Sequence, residues 1–181
     1  MMINDSQKIV ILVDDDPAQY SNLELVALRY FGSTQGTDLC VAENTNKVLE
    51  ELENYIKVSP TSKIYAVLDY NMNLNVQGEQ KPIESLFYNE NFKHYLVNGG
   101  IIILYSGYIA QIYQSIIIMD APKKYNNLAL LIAEKSTVHT DDVFRMLKGT
   151  PYDKIPKLKA LAEQYNYNLG NIISSLRKTK R

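Results

Sequence analysis

The run Ile9-Val10-Ile11-Leu12-Val13, followed at once by Asp14-Asp15-Asp16, constrains this chain most. Five apolar residues in succession do not alternate between core and solvent. As a strand, such a run is buried on both faces, which is the condition of a strand inside a helix-covered parallel sheet. The three carboxylates then stand where the strand emerges. Crowded carboxylates repel one another, so they must raise their pKa values or share a cation. Hard oxygen ligands of this kind suit Mg²⁺. Asp14 and Asp15 are read as metal ligands. Asp16 is read as a helix cap, because Asp16-Pro17 has the form of an N-cap followed by proline at the first helical position.

The pattern of that first run recurs. Thr37 to Ala42, Lys63 to Leu68, Ile101 to Tyr105 and Leu128 to Ala133 read as four more strands. Between them lie helical spacings. One begins at Pro17, with Leu23, Val26, Ala27 and Tyr30 on one face, and ends at Gly32. A second runs from Thr45 through Val48, Leu49, Leu52, Tyr55 and Ile56 to the break at Ser59-Pro60. A third covers Ile83 to about Val97, before the Asn98-Gly99-Gly100 turn, and a fourth covers Tyr108 to Met119. A fifth is capped by Thr140 and stopped by Gly149. Five apolar strands alternating with helices predict an α/β fold: a doubly wound, five-stranded parallel sheet.

In such a sheet the carboxyl ends of the strands line one crevice. Asp14 and Asp15, Asp69, Ser106 and Lys135 each follow the last apolar residues of a strand. Each alone has an ordinary explanation as a turn residue or a solvated exit. Together on one rim they form a constellation: an acidic pair for a cation, a third carboxylate beside it, and a hydroxyl and an ammonium. That set suits phosphoryl transfer to a carboxylate. Asp69 is the candidate nucleophile, with Mg²⁺, Lys135 and Ser106 placed to stabilise the phosphoryl oxygens.

The segments VDDDP, LDYNMN, IIILYSG and LLIAEK, spread over residues 7–148, resemble the receiver domain of two-component response regulators, the CheY-like fold. The resemblance implies a flavodoxin-like (βα)₅ receiver domain phosphorylated on Asp69 by a sensor histidine kinase or a histidine phosphotransfer protein. It implies Mg²⁺ bound by Asp14, Asp15, Asp69 and the backbone carbonyl of Asn71. Ser106 would be the switch hydroxyl and Lys135 the phosphate-binding lysine. On this reading the protein is a phosphoprotein of phosphorelay signalling rather than an enzyme with a metabolic substrate. Asn71 and Tyr108, flanking the phosphate, would tune its lifetime. The chain departs from the family pattern in the longer separations from Asp15 to Asp69, Asp69 to Ser106 and Ser106 to Lys135, and at three single positions. Ser136 stands where a cis-linked proline usually follows the lysine. Ile132 stands where the switch aromatic is usual, so an aromatic-swing switch is not expected. Asn73 replaces a common proline.

Two alternatives use the same residues. A haloacid-dehalogenase-like phosphatase would use Asp69 as nucleophile with Ser106, Lys135 and the pair Asp141-Asp142, but Asn71 stands where that family keeps its acid/base aspartate. A receiver-fold interaction module would need no phosphorylation at all.

Residues 149–181 differ in character. They hold seven Lys/Arg against two acids, whereas residues 1–148 hold twelve against eighteen. Two short helices are expected, the first carrying Leu158 and Leu161, the second Ile172, Ile173 and Leu176. A basic helical extension of this size fits docking or dimerisation better than DNA binding, for which 33 residues are few. The single cysteine, Cys40, excludes an internal disulfide and reads as buried. His94 and His139, far apart and without nearby cysteine, do not suggest zinc. With no apolar run of spanning length and no signal-peptide pattern, a cytoplasmic protein without a membrane partner is expected.

Overall fold

The computed structural model describes residues 8–32, 37–70, 83–107, 124–125 and 127–150. The helices expected at Tyr108–Met119 and in the basic extension, the loop after Tyr70, and Asn71 and Tyr108 themselves lie outside those residues.

The chain runs β1 (Lys8–Val13), α1 (Pro17–Phe31), β2 (Thr37–Ala42), α2 (Thr45–Val58), β3 (Lys63–Leu68), α3 (Glu84–Tyr88), α4 (Glu90–Leu96), β4 (Gly100–Ser106), β5 (Leu128–Glu134) and α5 (Thr140–Leu147). The strands form one parallel sheet in the order β2-β1-β3-β4-β5. This is the doubly wound, flavodoxin-like arrangement that the apolar runs predict. Alternate residues of each run feed opposite faces, as the two-residue period of a strand requires. Ile9, Ile11, Ile64, Ala66, Leu68, Ile102 and Leu104 pack with Leu52, Leu86, Phe92 and Tyr95. Val10, Leu12, Val67, Ile103 and Tyr105 pack with Leu23, Ala27, Phe31 and Phe144. The central strands therefore carry no solvent-facing side, and Ile9 to Val13 are all essentially inaccessible. No described helix is long and apolar enough to cross a membrane.

Three local expectations are corrected. The helix expected over Ile83–Val97 is broken. Asn89 is extended (φ −72°, ψ 133°) and its side chain accepts from the amides of Asn91 and Phe92, so it starts α4 afresh. The apolar period survives the break because Phe87 and Phe92 meet edge to face across it. Thr140 is not the cap of α5. His139 is, without a side-chain cap bond, and the Thr140 hydroxyl instead accepts from Asn22 of α1. Gly100 belongs to β4 rather than to the turn before it. Its φ is +134°, and a Cβ there would lie 1.9 Å from the Ile64 carbonyl oxygen, so β3 and β4 approach at a spacing only glycine permits.

Asp16 caps α1 as expected, accepting from the Ala18 amide. Cys40 is buried in β2, and burial, with Glu51 adding to it, pushes its thiol up to about 12. The thiolate is the reactive form. Cys40 is therefore expected to resist an aromatic disulfide reagent at mildly alkaline pH in the native protein and to react fully in denaturant. Rapid native labelling would show that β2 opens locally.

Candidate functional site

The topology sends β1 to one neighbour and β3 to its other side, so the crevice opens between the carboxyl ends of β1 and β3. The backbone joins those ends directly. The Asp69 amide donates to the Val13 carbonyl (2.8 Å), and the Asp14 amide donates to Ala42 of β2 (3.3 Å). Three strands thus fix where the two aspartates start.

Asp14 is 1 % exposed and Asp69 is 6 % exposed. One Asp14 oxygen accepts from the Asp16 amide (3.0 Å). The other accepts from Lys135 Nζ at 2.6 Å, and the same ammonium donates to Asp69 Oδ2 at 2.9 Å. Asp15 completes the cluster: ligand oxygens of Asp14, Asp15 and Asp69 all lie within 4.8 Å of one another. Burial holds the Asp14 carboxyl above the usual carboxylate range, with Lys135 pulling against it and Asp69 adding to it. Burial alone would lower Lys135, but its hydrogen bonds to Asp14 and Asp69 together outweigh that and hold it above its ordinary value. Among the described residues the arrangement is a concentrated negative site paired with the Lys135 ammonium. Three converging carboxylate oxygens form a cluster that could hold a metal ion.

Ser106 is fully buried at the end of β4 and lies in register with Glu134. Its carbonyl accepts from the Lys135 amide at 3.1 Å, so β4 and the lysine turn are tied at that point. Asp14, Asp15, Asp69, Ser106 and Lys135 are therefore all at one end of the sheet, and Lys135 touches two of the aspartates. Asp141 and Asp142, which a phosphatase reading recruits, are engaged elsewhere: Asp141 with Arg29 and Tyr30, Asp142 with Arg145.

The turn that carries Lys135 is built without a cis bond, since no peptide among the described residues is cis. Glu134 organises it. Its carbonyl accepts from the amides of Thr137 (3.1 Å) and Val138 (2.8 Å), and its carboxylate accepts from the Thr137 hydroxyl (2.7 Å). The Tyr105 hydroxyl, buried, donates to the Val138 carbonyl at 2.9 Å. Sequence reasoning passes over Tyr105. The available signal is a tyrosine, needing a polar partner, near the end of an otherwise aliphatic strand.

Comparisons with protein-family models, with curated proteins and with solved structures each return no match for this chain.

Proposed function

We propose that this protein is a phosphoacceptor of two-component signalling, an atypical response regulator that takes a phosphoryl group on Asp69. The observation that carries the reading is the single ammonium of Lys135 shared between Asp14 and Asp69 within a three-carboxylate cluster. A carboxylate nucleophile needs its charge and that of the incoming phosphoryl oxygens neutralised, and the Lys135 ammonium on Asp69 supports that reading.

In this reading an Asp69 oxygen attacks the phosphorus of the donor. The new O–P bond forms as the donor's P–N bond breaks, and the electron pair leaves with the imidazole of a histidine kinase or histidine phosphotransfer protein. Asp14 and Asp15, with the Asn71 carbonyl, would hold Mg²⁺, which supplies charge neutralisation at the phosphoryl oxygens. Lys135 is already beside Asp69 and turns from carboxylate to phosphoryl oxygen. The Ser106 hydroxyl donates to the same group. The added charge, about −1.5 to −2, changes which partners those two side chains hold and so biases the elements behind them. The output is a change in partner binding or dimerisation.

The test is intact mass after incubation with Mg²⁺ and a small phosphodonor, with beryllofluoride as a parallel mimic. One hydroxylamine-labile phosphoryl adduct per chain, absent when Mg²⁺ is chelated, is expected. No adduct and no bound mimic would count against phosphoacceptance. Steady turnover of a simple phosphomonoester would move the assignment to a phosphatase.

A further inference from the structure

We propose that Tyr105 is a positioning residue for Lys135: its hydroxyl fixes the turn after β5 so that the lysine ammonium reaches both Asp14 and Asp69. A lysine carries its charge on four flexible methylenes, so where that charge rests depends on how firmly its backbone is held. Ser136 and Thr137 contribute no ring constraint to this turn. Its stiffness comes from hydrogen bonds.

Both ends of the turn are tied to the same strand at consecutive residues. The Ser106 carbonyl takes the Lys135 amide at the start. Tyr105 takes the Val138 carbonyl at the end. The turn between them is closed on itself through Glu134. Tyr105 can act as a fixed post because it is 3 % exposed and its ring packs in the core cluster that holds Ala133, Val138 and Phe144. Val138 is 2 % exposed. Without the hydroxyl, its carbonyl loses this partner at a buried position, where an unmet acceptor is costly. The turn then relaxes, and the ammonium that it carries loses its fixed place between the carboxylates.

The inference rests on the acidic rim being a cation site, and not on phosphorylation. Lys135 and a divalent cation compete for the same carboxylates. Loosening the lysine therefore tightens the metal. The experiment is a double-mutant cycle on the full chain, Tyr105→Phe and Lys135→Ala alone and together, with Mg²⁺ affinity read by titration. Lys135→Ala should tighten Mg²⁺, and Tyr105→Phe should tighten it about 2- to 10-fold. In the Lys135→Ala background Tyr105→Phe should add nothing, because no ammonium remains to be misplaced. An equal effect in both backgrounds, or none in the parent, overturns the proposal. Thr137→Ala loosens the same turn through Glu134 at an exposed position. It should show the same dependence on Lys135, and it carries the cycle if Tyr105→Phe fails to fold. A parent that binds no Mg²⁺ fails the cation reading of the rim instead. The turn is then judged by metal-free amide exchange at Lys135 and Val138, which Tyr105→Phe should accelerate. Unchanged exchange there overturns the proposal whether or not Mg²⁺ binds.

Discussion

Lys135→Ala is expected to cost the metal-free protein about 3–5 kcal/mol at neutral pH, the usual scale for removing one partner of a buried ion pair. The figure sits at the upper end of single-residue effects because two buried carboxylates, Asp14 and Asp69, lose their shared cation at once. The loss should depend on pH in a defined direction. Asp14 in the folded chain already keeps its proton more firmly than in the unfolded chain. Its contribution to stability therefore declines as pH rises from the ordinary carboxylate value through the raised one. Without Lys135 that decline steepens, so the variant should regain much of its stability in mild acid. In the parent, the contribution of Lys135 runs in the same direction but higher on the scale: complete below its ordinary value, and lost only as pH climbs through the raised one. Adding Mg²⁺ should restore part of the variant's stability, since binding to the folded state alone adds to it by mass action. Urea midpoints at neutral and mildly acidic pH, with Mg²⁺ and with chelator, check all three statements. A midpoint unaffected by the substitution would show that the ion pair does not compensate the buried carboxylates.

Asp69→Asn should abolish the phosphoryl adduct while leaving the fold in place. The amide has nearly the shape of the carboxylate, and its carbonyl can still accept from Lys135. The nucleophilic charge is gone, so no O–P bond should form under the conditions that are expected to modify the parent. One of the three converging carboxylates is also gone, and Mg²⁺ should bind more weakly. Far-ultraviolet circular dichroism unchanged from the parent, together with loss of the adduct by mass, is the expected pair of results. An adduct of undiminished yield in this variant would place the acceptor on another residue.

The fold was legible because its strands are written in the plainest form available. Thr37–Ala42 and Lys63–Leu68 coincide with their strands residue for residue: the first is a half-buried edge strand, the second an inner strand whose last three residues are all buried. The carboxylate cluster was legible for a topological reason: a parallel sheet collects the ends of distant strands, so the sequence alone gathers Asp14, Asp15 and Asp69. What sequence could not supply is geometry that depends on a partner. Asn89 hides in an unbroken apolar period, and only its own side-chain bonds to Asn91 and Phe92 reveal a new helix start. Lys135 could be placed on the rim, but not with one ammonium on two carboxylates. Tyr105 looks like any core aromatic until its hydroxyl finds the Val138 carbonyl.

Lys135 lies 121 residues from Asp14 and 66 from Asp69. Closing loops of that length is an entropic cost met before the contact is made, and topologies dominated by such contacts fold slowly. The aspartates are gathered by pairing β1 with β3, yet their cation arrives only with the last strand. Without β5, the sheet carries concentrated negative charge at the carboxyl ends of β1 and β3. Docking of β5 therefore brings the Lys135 ammonium to both carboxylates, and a chain cut before Lys135 lacks that ion pair.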